Sequence, residues 1–279
     1  MDENDKYCAA LVREADRDRY LATLFAPPER RGALLSLYAF DIEISRIRDL
    51  AHEPMPGEIR LQWWREVVEG ERAGEAAANP VSAALLATLT RHRLPAEKLT
   101  GLVEARRFDI YDEPMPTLAA LQSYASNTAG AIFDCATGIL DAASQENAIE
   151  AGRAQTIANV IAFLPRHAAR RQLFVPLDLL RQYGSSPDEI FAMQASPELR
   201  GALAELRLRA RRDLTRLAEL IGNIPENIWP AFLSLAPLRP WLSAMESAAY
   251  QPFRPPELPV WRRQWRIWRA AKSIERIGC

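Results

Sequence analysis

Glycine is scarce, at 12 of 279 residues, and no stretch alternates apolar and polar residues with the β-branched enrichment of a strand. Sheet architectures are therefore not expected. Cysteine is nearly missing. Cys8, Cys135 and Cys279 are odd in number, far apart and in no metal-ligand spacing, which argues against a disulfide framework or a zinc site. No apolar run reaches the ~18 residues that span a bilayer. The acidic opening MDENDKYCAALVREADRDRY has no sustained apolar core, so neither a secretory signal nor an Arg-rich transit peptide is expected. Net charge is absent too. A formal −1 creates no global field, and without a helix-turn-helix, zinc or RNA-recognition signature no nucleic-acid partner is expected. These features fit a reducing, cytoplasmic setting, with peripheral attachment to the inner membrane left open.

What is present is helical periodicity. Hydrophobic residues make up 48% of the chain and charged residues 25%, enough for a packed core. Apolar positions recur every three or four residues, and the 20 prolines cluster between the periodic stretches, at Pro27–Pro28, Pro54–Pro56, Pro114–Pro116 and Pro252–Pro259. The spacing predicts a helix opening at Pro28 and running to Arg48 or Asp49. A second carries Ile59, Trp63, Trp64 and Val68, the two tryptophans filling core space. Others are expected over 80–92, 95–110, 117–141, 147–164, 198–221 and 228–248, with Thr117 and Ser196 as N-caps. No repeat or composition shift divides the chain, so residues 1–279 are read as one all-α domain, ending in an amphipathic helix over about 259–277.

Several motifs occur in order. LYAFDIEISRIRD, from Leu37 to Asp49, leads an apolar helix into a charged segment. EARRFDIY begins at Glu104 and SYASNTAGAIF at Ser123, and GRAQTIANVIAFLPRHAARRQLFVP runs from Gly152 to Pro176. Together they resemble the squalene/phytoene synthase family, with its YAF helix, DDxxD segment, YxxxAG helix and GxALQxTNILRDVxEDxxRxRxYxP signature. The resemblance covers roughly residues 7–215. It implies an isoprenoid-synthase-like helical domain around a central cavity.

The chemistry of that family needs carboxylates. Ionising an allylic diphosphate requires Mg2+ held by hard oxygen ligands on two facing helices, and aspartates at i and i+4 share one helical face. Here the first motif's paired aspartates fall on Ser45 and Arg46, and only its last remains, as Asp49. The second motif's aspartates fall on Phe163 and His167 and its glutamate on Arg166, while Asn159 is kept. Four expected carboxylates are reduced to one, so Asp49 is the residual metal candidate and no cofactor is expected. Asp41 shares a face with Asp49 but lies ~12 Å along the axis, too far for one metal. Pro165 predicts a break in the second motif helix.

The run Arg170 to Asp178, with AFDIEISRIRD and IRLQWWREVVEG, most resembles the branch of the family that serves in respiratory complex I assembly. That resemblance implies a non-catalytic assembly, scaffold or lipid-binding factor, with a protein partner in a respiratory assembly and a prenyl or acyl lipid in an apolar cavity that has lost its polar end. The alternative is an active head-to-head prenyltransferase that uses Mg2+ with atypical ligation. Arg170 and Arg171 offer forks for a phosphate or headgroup, or else form a solvated basic turn. Asp49 is otherwise a capping or surface group, and His167 an ordinary polar residue. The terminal helix sets Trp261, Trp265 and Trp268 on one side and Arg262, Arg266 and Arg269 on the other. That pattern suits an anionic membrane surface, or a last helix with its tryptophans packed on the core.

Overall fold

Proline and side-chain caps set where the helices begin. The computed structural model describes residues 2–51, 53–141, 148–222, 224–247 and 249–278. In chain order the helices are α1 (Glu3–Ala15), α2 (Arg17–Thr23), α3 (Pro28–Ser45), α4 (Ile47–Leu50), α5 (Pro54–Glu69), α6 (Ala73–Ala76), α7 (Pro80–His92), α8 (Ala96–Ala105) and α9 (Leu118–Ala125). They continue with α10 (Ala131–Leu140), α11 (Ala148–Ala162), α12 (Leu164–Ala169), α13 (Leu177–Tyr183), α14 (Pro187–Phe191), α15 (Pro197–Ile221), α16 (Leu238–Ala244) and α17 (Val260–Ala270). Among the described residues there is no β-strand, only one bridge between Gln251 and Arg254.

Proline stands in the first turn of α3, α5, α7 and α15, where its missing N–H costs nothing. Thr117 and Ser196 cap α9 and α15 by accepting from the backbone N–H of Ala120 (3.1 Å) and Leu199 (3.0 Å). Asp2 and Asp5 form a capping box that opens α1, a helix the composition of the N-terminus does not announce.

The core is assembled on α3, α10, α11 and α15. Leu199, Leu203, Leu206, Ala210, Leu214, Leu217 and Ile221 make one continuous buried stripe on α15. That stripe packs against α11, whose small residues Ala151, Ala154 and Ala158 permit close approach. The closest approach is at Gly152, where an added Cβ would lie 2.4 Å from the Gly130 nitrogen. Phe40 of α3 meets Trp64 edge-on at 5.3 Å, and Trp63 packs at the rim with its indole N–H donated to Glu75 (3.1 Å).

Four expected boundaries are corrected. The first long helix stops at Ser45, and Arg46 separates it from α4. The 95–110 stretch ends as an α-helix at Ala105 and tightens into a 3-10 turn over Arg106–Asp109. Residues 226–235 form 3-10 turns instead of a long helix, because Pro230 and Pro237 interrupt the ladder. The terminal helix ends at Ala270, and Ile274–Gly278 is a 3-10 turn. Asn147, Ala248 and Cys279 lie outside the described residues. Tyr124 stands one residue further from Ala129–Gly130 than the YxxxAG pattern places it, and a π turn over Ser126–Gly130 absorbs the extra residue. The break expected at Pro165 falls two residues earlier, at Phe163 between α11 and α12, and Pro165 stands in the first turn of α12.

Candidate functional site

The two motif segments end facing one another. Arg46 turns the chain after α3 so that α4 carries Asp49 toward the start of α12, which Phe163 separates from α11. Asp49 accepts from Arg170, and from Arg166 at 3.5 Å. Burial alone would raise the Asp49 carboxyl, but the two guanidiniums outweigh it and hold it below the usual carboxylate range. The surviving acid is thus already neutralised by cations from the opposite motif.

The other motif positions are occupied as follows. The Ser45 hydroxyl donates back to the Ile42 carbonyl (3.0 Å), and Asn159 accepts from Gln155 (2.9 Å). Phe163 is 40% exposed, with the Arg166 guanidinium 4.5 Å over its ring. His167 packs on Phe174 (4.6 Å), and its Nδ1 is buried with no hydrogen-bond partner. Burial first, then the neighbouring Arg166 and Arg170, push its imidazole down to about 4, so it is neutral at pH 7. Arg171 takes a left-handed backbone (φ 54°) and stacks on Phe191 (4.8 Å); of the Arg170–Arg171 pair only Arg170 lines the cavity.

Behind this mouth lies a cavity of about 500 Å³. Its deep wall is an ion network. Asp41 accepts from Arg19 (2.6 Å) and Arg106 (3.3 Å). Arg106 also donates to Asp109 (3.1 Å) and to the Tyr124 hydroxyl (2.9 Å), which itself donates to Asp109 (2.7 Å). Burial opposes the Asp41 charge, but two arginines keep it below its ordinary value; Asp109 shares Arg106 with Asp41, so burial prevails there and raises it. Burial likewise pushes the Tyr124 hydroxyl well up. Arg19 further approaches Asp16 (3.6 Å) and stacks on Tyr38 (5.1 Å).

The lining carries six arginines and four aspartates, so the expected loss of the polar end is corrected: the cavity is mostly polar, with Ile42, Val160, Phe163 and Phe174 as its apolar patches. Sequence reasoning noticed Asp41 but considered it only as a metal ligand. It missed Arg19, which sits in a uniformly charged stretch. The signal available was an aspartate inside the apolar run of α3, since a buried acid requires a cationic partner.

This donor set does not fit Mg2+. Hard, octahedral binding needs free carboxylate oxygens, whereas Asp49 is bridged by arginines and Asp41 and Asp109 are committed to Arg19, Arg106 and Tyr124. Among the described residues no three His, Cys, Asp or Glu side chains converge as a metal group.

The terminal segment departs from the expectation of tryptophans packed on the core, and from the expected two-sided split of Trp and Arg. Trp261, Trp265 and Trp268 are 63%, 43% and 52% exposed, so they are not core residues; Ile267 and Ala270 supply the buried face. The arginines do not occupy the far side but lie over the tryptophans, Arg262 on Trp261 (5.2 Å) and Arg269 and Arg266 on Trp265 (4.6 and 5.6 Å). Among the described residues no helix is long and apolar enough to cross a membrane.

An all-helical body around a cavity, with two facing motif segments at its mouth, defines the isoprenoid-synthase fold. The solved structures agree: a dehydrosqualene synthase superposes with a TM-score of 0.81 at 17% identity, covering 98% of this chain and 96% of that one. The squalene synthase of Alicyclobacillus acidocaldarius gives 0.75 at 25% identity, covering 87% and 93%. Residues 12–269 match the squalene/phytoene synthase family model, and the chain belongs to that family. Within it, the chain is 27% identical to the Bos taurus and Homo sapiens proteins named NADH dehydrogenase (ubiquinone) complex I, assembly factor 6, over 90% of this chain and 76% of theirs. It is 23% identical to the 15-cis-phytoene synthase of Synechococcus elongatus, over 94% of this chain and 91% of that one.

Proposed function

We propose that this protein is a non-catalytic member of the family that acts as an assembly factor for a respiratory NADH dehydrogenase, through a protein partner in that assembly. One observation carries the reading: Asp49, the last carboxylate of the two metal motifs, is closed off by Arg166 and Arg170. Diphosphate ionisation needs cations at that mouth, and the fold puts fixed guanidiniums there instead. The similarity to assembly factor 6 supports the same direction. Within this reading the cavity receives the anionic headgroup of a prenyl or acyl lipid, held by arginine forks without a metal.

The test is genetic. Deleting the gene in the source organism lowers the amount of assembled NADH dehydrogenase on native gels, and both the wild-type gene and Asp49→Asn restore it. Normal assembly in the deletion strain contradicts the proposal. So does rescue that fails specifically with Asp49→Asn, since that pattern belongs to a metal-dependent enzyme.

A further inference from the structure

The exposed side of α17 serves neither the cavity nor the core. At about 100° per residue, Trp261, Trp265 and Trp268 fall within an arc of about 60°, with Lys272 continuing their line just past the helix. Arg262, Arg266 and Arg269 occupy the adjoining arc, and Ile267 and Ala270 lie on the side that packs against the body. Arg263, also on that inner side, donates to Asp18 of α2 through Nε (3.0 Å) and a terminal nitrogen (2.5 Å), fixing the helix about its axis. The aromatic strip is therefore held outward. It is not a helix waiting to roll onto the core.

The charges on that surface are unbalanced. VWRRQWRIWRA contains no acid, and among the described residues Arg262, Arg266, Arg269 and Lys272 pair with no carboxylate. They rest instead on indole faces, Lys272 over Trp268 at 5.7 Å. Protein interfaces also use Trp and Arg but deplete Lys, whereas this strip sets Lys272 in line with its indoles and carries no acid, a one-sign surface that an anionic bilayer complements. Indoles sit among the headgroups and guanidiniums meet lipid phosphates.

We infer that α17 is a bilayer-docking surface, by which the protein lies on an anionic lipid membrane with Trp261, Trp265 and Trp268 in the headgroup layer. The surface is independent of the cavity, and the inference does not rest on the proposed function.

The experiment is co-sedimentation of the full chain with vesicles of phosphatidylcholine alone or of equal parts phosphatidylcholine and phosphatidylglycerol. The account expects strong partitioning to the mixed vesicles and weak partitioning to the neutral ones. Replacing Arg262, Arg266 and Arg269 together by Gln lowers partitioning to the mixed vesicles by about 100-fold, at about fivefold per charge. High salt reproduces that loss but leaves a residue that disappears in W261A/W265A/W268A. The tryptophans and Arg262 are exposed, and the half-buried Arg266 and Arg269 hold no carboxylate, so thermal unfolding of each variant should stay close to the wild type. If the tryptophan variant unfolds, the arginine variant decides by itself. Equal partitioning to both vesicle types overturns the inference, as does an arginine variant that binds like the wild type. Self-association through the tryptophans without vesicle binding overturns it too, and assigns the surface to a second copy of the chain.

Discussion

Arg170 on the loop closing α12 reaches the carboxylate of Asp49 on α4, tying together the two segments that carry the family's metal motifs. The pair is partly open to solvent, with Asp49 32% and Arg170 37% exposed, so its Coulomb energy is screened. Asp49→Asn should therefore cost only about 0–1 kcal/mol in urea denaturation. A loss of several kcal/mol would mean that the pair bears structural weight this geometry does not give it.

The deeper pair behaves oppositely. Asp41 is 10% exposed and answers two arginines at once. Asp41→Asn leaves Arg19 and Arg106 buried beside a neutral amide, and breaking a buried ion pair from one side costs about 3–5 kcal/mol. Denaturation midpoints of the two Asp→Asn variants measured side by side should separate by that difference.

His167 should make stability fall in mild acid. Its folded-state value of about 4 lies below the ordinary 6.5, so the unfolded chain takes up the proton first. The fold is undiminished above about pH 6.5, loses stability as pH falls from there, and has lost the whole contribution below about 4. Between pH 7 and 5 the loss should be about 1–2 kcal/mol. His167→Gln should flatten that part of the profile, and an unchanged slope would show that another group titrates there.

Two glycines should respond with opposite sign to the same substitution. Gly152→Ala drives a methyl to within 2.6 Å of the Gly130 Cα, backbone against backbone, and should cost at least about 1–3 kcal/mol. Gly101, in α8, has nothing within 4 Å of the added carbon, and Gly101→Ala should stabilise by about 0.5–1 kcal/mol. Thermal melts of both variants check the contrast.

Helix positions were legible where proline and periodicity coincide, as at Pro28, Pro54 and Pro80, because those signals are local. α1 and α2 were not, since their 20 residues are too charged for an apolar stripe to stand out and their order comes from the Asp2–Asp5 cap and from packing on α3. In the site, the replaced carboxylates at Ser45, Arg46, Phe163 and His167 could be read directly from motif register. That Arg166 and Arg170 close on Asp49 could not, because it depends on how far α4 and α12 turn after their breaks. Arg171 shows the same limit: its neighbour enters the cavity and it does not, a difference of backbone hand invisible in an Arg-Arg pair.

With Asp49 held by Arg166 and Arg170, this mouth should no longer support metal-dependent ionisation of a prenyl diphosphate. Incubating the purified protein with farnesyl or geranylgeranyl diphosphate and Mg2+ or Mn2+, followed by mass spectrometry of the extracted products, tests it most directly. The account predicts no coupled hydrocarbon or cyclopropyl intermediate above the protein-free control with either metal. Steady product formation that stops with EDTA and with Asp49→Ala would contradict it.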